Sequence, residues 1–276
     1  MNVAVFLVIS IALVFARLGG FEAPVAQFLS DAFAMPTGFW DYLHHPWTII
    51  TSMFAHFGFM HIFLNMLMLY FIGRMFEQIY DGKKLLYTYL LGGLSGGALE
   101  IVAHLLFPGM YGQYTSVVGA SGAVMALFIL IGFSQPQLRV NLFGILPIRI
   151  MWLALLYFVL DFVRLGTNDG VAHFAHIGGA LVGLIGSQNV HSSNNIIARF
   201  QRFCERVIGL FKRKERKHLR VKRGPEVRKM SDEEYNADAK LRQKEIDRIL
   251  DKISKSGYES LSKREKYFLF NQSKNG

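Results

Sequence analysis

Long apolar runs, each closed by charge, proline or a polar cluster, dominate the first 190 residues. Six stand out: Asn2–Leu18, Gly58–Phe76, Leu85–Phe107, Ser116–Phe133, Leu146–Val163 and Val171–Gln188. Each approaches the roughly 20 residues a helix needs to cross a hydrocarbon core about 30 Å thick. The pattern predicts an all-α fold class, a polytopic membrane bundle of six transmembrane helices. The first run has the place of a signal peptide but lacks its basic start. It ends at Arg17-Leu18-Gly19-Gly20 without a small-residue cleavage site, so it is read as a retained span.

Charge divides the chain in two. Residues 1–190 hold seven Lys/Arg (Arg17, Arg74, Lys83, Lys84, Arg139, Arg149, Arg164) against eight Asp/Glu, and the remaining 23 Lys/Arg and 12 Asp/Glu lie beyond. The overall charge of +10 therefore resides in the tail. Only 18% of residues are charged and 52% are hydrophobic, against about a quarter charged in a soluble domain. The single cysteine, Cys204, excludes an internal disulfide framework and Cys-rich metal sites.

Arg74, Lys83 and Lys84, then Arg139 and Arg149, then the tail fall at alternate turnarounds, which places both termini on the cytoplasmic side. Spans two, four and six then run parallel, from outside to inside. The segment Gly19–Phe57, with Glu22, Asp31 and Asp41 and no Lys or Arg, becomes a long outer loop. Three regions follow: a membrane domain at 1–190, a basic amphipathic juxtamembrane segment at 191–224 and a small cytoplasmic helical hairpin at 225–276. In the second, Ile196, Phe200, Phe203, Val207, Leu210 and Phe211 recur at helical spacing among Arg199, Arg202, Arg206 and the run Lys212–Lys217. That pattern suits an anionic inner leaflet, and attachment to a span makes lipid a simpler partner than nucleic acid. In the third, Ser231 with Glu234 and Ser262 with Glu265 are capping-box patterns ahead of apolar helical positions.

Polar side chains inside spans are costly and mark candidate chemistry. Here they are His61, Asn65, Glu100, Ser121, Asp161, His173 and His176. At a rise of about 1.5 Å per residue, Ser121 and His176 both stand about 18 Å above the inner ends of their spans, and His61 and Asn65 bracket that level. Gly119-Ala120-Ser121-Gly122 and Gly179-Ala180-Leu181-Val182-Gly183 carry no bulk, so the helices can approach closely. A neutral imidazole at His176 can take the Ser121 proton as the hydroxyl attacks a carbonyl, then return it to the leaving amine. His61, the Asn65 amide and the Ser121 N–H are the available oxyanion donors. Taken singly, a Gly-x-Ser-Gly in a glycine-rich bundle is close packing and a span histidine a hydrogen-bonded strut. The shared depth favours the site.

These residues resemble the rhomboid intramembrane serine proteases. The resemblance rests on His56-Phe57-Gly58-Phe59-Met60-His61 leading to Asn65, on Gly73 and Glu77, on Gly119-Ala120-Ser121-Gly122, and on Ala175-His176-Ile177-Gly178-Gly179 with Gly183. It implies a six-span rhomboid-like bundle of bacterial type with a C-terminal cytoplasmic extension, in an inner (plasma) membrane. It also implies a Ser121–His176 dyad with His61, Asn65 and the Ser121 amide as oxyanion hole, and Gly119, Gly122, Met125, Gly179 and Gly183 as packing and active-site support. Transmembrane proteins are the implied substrates, cut near the outer face with no cofactor. Two positions depart from the family pattern: Met125 stands where many members have a tyrosine supporting the histidine, and Trp47-Thr48 where Trp-Arg is frequent.

Competing readings are a non-catalytic rhomboid-like protein that binds transmembrane helices, and a solute transporter, for which no convincing inverted repeat is found. A metal site of His56, His61, His173 and His176 is not expected, because the sequence places no carboxylate among them. No lysine lies in a span, so a Ser–Lys pair is excluded. Glu100 is read as structural, and Asp161 is expected to pair with Arg164, three residues on.

Overall fold

The computed structural model describes residues 1–107, 109, 116–142, 145–167, 169–211 and 231–275. Helices stand at all six apolar runs: α1 (Asn2–Leu18), α5 (Phe59–Ile79), α6 (Gly82–Leu106), α7 (Ser121–Ser134), α8 (Ile150–Phe162) and α9 (His173–Ser187). By length and composition α5 and α6 are able to cross a membrane, and the other four are shorter apolar helices. Two runs begin later than expected. Ser116–Val117 is a strand, β2, and Leu146–Arg149 is a strand, β4, so α7 and α8 start at Ser121 and Ile150. Pro147 lacks an N–H and suits a two-stranded edge: β4 pairs antiparallel with β3 (Arg139–Leu142), which sets Arg139 opposite Arg149.

The stretch expected as an outer loop is folded. It contains α2 (Glu22–Phe33), β1 (Met35–Pro36), α3 (Phe39–His44), α4 (Thr48–Thr51) and a 3-10 turn at Ser52–Phe54. Short amphipathic pieces of this kind leave no long apolar run, so hydropathy alone passes over them. β1 pairs antiparallel with β2, Met35 opposite Val117 and Pro36 opposite Ser116.

At the centre lies α7, whose residues from Gly122 to Gly132 are all buried. Its neighbours α6 and α9 come close because glycines remove the side chains between them. A Cβ at Gly179 would lie 1.9 Å from the Gly122 carbonyl oxygen, one at Gly183 2.5 Å from that of Ala126, and one at Gly96 2.6 Å from that of Ala175. Tyr80 closes the far end, its hydroxyl donating to Ser134 Oγ at 2.7 Å. On the perimeter, Phe15, Phe71, Trp152 and Leu156 are more than half exposed. Such a surface calls for hydrocarbon rather than water.

Beyond α9, Asn195 caps α10 (Ile196–Phe211): its amide donates to the carbonyls of Gly186 and Gln188, and its Oδ1 accepts from the Ile197 N–H. Ile197 is fully buried, whereas Phe203, Leu210 and Phe211 are exposed. Through Arg213 the chain forms one compact unit, and residues from Lys214 form a second. The Lys212–Lys217 run and the Gly224-Pro225 break lie outside the described residues. In the second unit α11 (Asp232–Ser256) opens on the expected capping box of Ser231 and Glu234. α12 (Lys263–Asn275) opens on that of Ser262 and Glu265. The Ser262 N–H, its hydroxyl and the Lys252 ammonium hold the Glu265 carboxyl down to about 2.

Candidate active site

Ser121, His176, His61 and Asn65 line one cavity of about 720 Å³. Ser121 is the first residue of α7 rather than a mid-span position. The turn before it needs Gly119, whose φ of +119° lies in the left-handed region and whose missing side chain leaves room for the His61 ring; a Cβ there would meet His61 Nε2 at 2.6 Å. The Gly119 N–H donates to the Ser52 carbonyl at 2.9 Å. The Ala120 N–H is directed at Nε2 of the buried His56 at 3.4 Å. Both donors ahead of the serine are thus engaged, and Ala120 offers no side-chain cap. The first N–H groups of a helix have no partner within it, and that of Val124 is the first in α7 to reach back, to the Ala120 carbonyl.

His61 sits one turn before Asn65 on α5, which brings both to the cavity. One Asn65 amide proton goes to the His61 carbonyl at 2.9 Å, and an amide nitrogen has a second. Gly122 and Gly179 form the close contact between α7 and α9, and Gly183 extends it. Met125 is fully buried in the core and does not line the cavity. Thr48, the other departure from the family pattern, is buried with its hydroxyl donating to the His45 carbonyl.

Asp161, a candidate in the sequence, was assigned the wrong partner there. It faces inward from α8 and does not pair with Arg164. Its Oδ1 lies 2.6 Å from His176 Nδ1 and 2.9 Å from His173 Nδ1. Arg164 pairs instead with Asp169 at 3.0 Å, and Asp169 Oδ1 lies 3.2 Å from His173 Nε2. Burial pushes Asp169 up, but the Val171 N–H, His173 and Arg164 outweigh it and hold its carboxyl below the usual range. The i, i+3 expectation fails because α8 ends at Phe162, so Arg164 is no longer on the helix.

Those contacts correct the premise behind the metal reading. A carboxylate does lie among the histidines, and Asp161, His173 and His176 offer donor atoms within 4.8 Å of one another, a set able to hold a cation. The four histidines fall into two pairs, His56 against His61 with ring centroids 4.9 Å apart and His173 against His176 at 6.3 Å. Glu100 is structural, as expected: fully buried, it accepts the Ala175 N–H at 2.9 Å and contacts His104 at 3.3 Å, fixing the start of α9.

Residues 43–192 match the Rhomboid domain family. The chain belongs to the rhomboid family. Its rhomboid domain holds every cavity residue named above, and rhomboid proteins are integral to membranes, as the exposed apolar perimeter requires. Residues 230–275 match a family of unknown function, DUF6576. Among similar proteins are the mitochondrial RHOMBOID-like protein 12 of Arabidopsis thaliana, 33% identical over 50% of this chain and 44% of its own length. Rhomboid-like protease 3 of Toxoplasma gondii is 29% identical over 50% of this chain and 49% of its own. Inactive RHOMBOID-like protein 8 of Arabidopsis thaliana is 30% identical over 49% and 36%. The chain spans less than half the length of these relatives.

Proposed function

We propose that this rhomboid protein is an intramembrane serine endopeptidase that cuts transmembrane segments near the outer face, with six spans and both termini cytoplasmic. The observation that carries the reading is that Ser121, His176, His61 and Asn65 share one cavity. Ser121 Oγ attacks the scissile carbonyl while His176 takes its proton, and the electron pair displaced onto the carbonyl oxygen is met by the Ser121 N–H, Asn65 and His61. Collapse breaks the C–N bond, and the His176 proton goes to the leaving amine. A water then repeats the sequence on the acyl ester and regenerates the hydroxyl. Carbonyls in an intact helix are engaged in backbone bonds, so substrates that fray near their outer end, at Gly or Pro, are the expected class.

Because one relative carries the word inactive in its name, a non-catalytic role in binding transmembrane helices is the competing reading. Purified protein is incubated with a model transmembrane substrate. Cleavage that disappears in Ser121→Ala supports the protease, whereas equal product from both proteins, or none from either when folded, supports the competitor. The basic residues and exposed apolar side chains of α10 fit contact with an anionic inner leaflet.

A further inference from the structure

We propose that Asp161 is a positioning residue for His176, holding the imidazole proton on Nδ1 so that Nε2 remains the acceptor for Ser121. The inference rests on the protease reading above. Its foundation is the 2.6 Å contact between Asp161 Oδ1 and His176 Nδ1. A carboxylate oxygen accepts only, so the proton of a neutral His176 belongs on Nδ1, and the lone pair on Nε2. Among the described residues this is the hydrogen bond of the His176 side chain, so ring orientation and tautomer depend on one group.

Two further observations separate this role from a chance ion pair. Along α8 only Ile150, Ala154 and Asp161 are buried, and the carboxylate is the one of the three that meets the cavity. A buried carboxylate on an apolar helix is costly unless it is used, and the nearest guanidinium in sequence, Arg164, is committed to Asp169. The carboxylate is itself steadied by His173 Nδ1, which shares Oδ1. Its Oδ2 is buried with no hydrogen-bond partner among the described residues. Negative charge therefore lies beside the ring in which positive charge grows as Ser121 surrenders its proton. Met125, away from the cavity, does not perform this task.

The test uses the full chain in detergent micelles, with histidine labelled with 15N and the model transmembrane substrate. In the wild type, the ring shifts of His176, assigned by their loss in His176→Ala, should show neutral imidazole with the proton on Nδ1. In Asp161→Asn an amide can donate to Nδ1, which moves the proton to Nε2. kcat should fall about 10²- to 10⁴-fold with KM little changed. A structural clamp between helices would instead lower the melting temperature and leave the tautomer alone. Wild-type His176 with its proton on Nε2 overturns the proposal even if the variant fails to fold. So does a folded Asp161→Asn with wild-type kcat. If instead Ser121→Ala cleaves like the wild type, the protease reading itself has failed.

Discussion

Asn65 lines the cavity and spends one amide proton on the carbonyl one turn behind it, and an amide nitrogen has a second to give. Removing the amide should leave substrate binding nearly intact and lower kcat. We expect Asn65→Ala to cost about 10²-fold in kcat with KM within a few-fold, read by cleavage kinetics. A fall in KM-limited binding alone would contradict the oxyanion role. At this scale the sequence was informative where chemistry, spacing and motif coincide: Ser121, His176, His61 and Asn65 were grouped by depth, small-residue packing and family pattern, and they line one cavity. Asp161 was not, because helical spacing pointed to Arg164, and only the end of α8 at Phe162 and the inward turn of the carboxylate redirect it. His56 was likewise grouped with a metal set. Its place beneath the Ala120 N–H depends on the tertiary course of residues 52–56, which no periodicity encodes.

Helices α7 and α9 meet backbone to backbone, so the contact has no spare volume. Gly179→Ala would bring a methyl to 1.9 Å from the Gly122 carbonyl oxygen, where no rotamer gives relief. Overpacking of this kind should cost about 3 kcal/mol. Gly209, on α10, has nothing within 4 Å of an added Cβ, and Gly209→Ala should stabilise by about 0.8 kcal/mol through helix propensity. Thermal denaturation in detergent compares the two, and similar shifts would refute the close crossing. A helix stands at each of the six apolar runs, and small-residue spacing announced this crossing. The strands and the short helices between α1 and α5 were hidden: β1 and β2 are two residues each, and their pairing joins segments far apart in the chain.

As a whole the protein couples an apolar membrane body to a strongly basic tail, and α10 belongs to the body. Its buried Ile197 and the Asn195 cap fix one end, leaving Phe203, Leu210 and Phe211 exposed beside Arg199, Arg202 and Arg206. In full-length protein reconstituted in nanodiscs, with Cys204 replaced, a spin label at position 211 should lie deeper when the lipid is anionic than when it is neutral. Equal depth in both lipids would count against inner-leaflet contact.

The antiparallel bridge that sets Met35 opposite Val117 has a mechanical corollary. Together with the Gly119 to Ser52 bond, it moors the stretch just upstream of Ser121 to the polypeptide that precedes α5. Force applied to that early stretch, by a tether or a captured ligand, is therefore delivered to the root of Ser121, which makes it a natural handle for engineering remote control of the cavity.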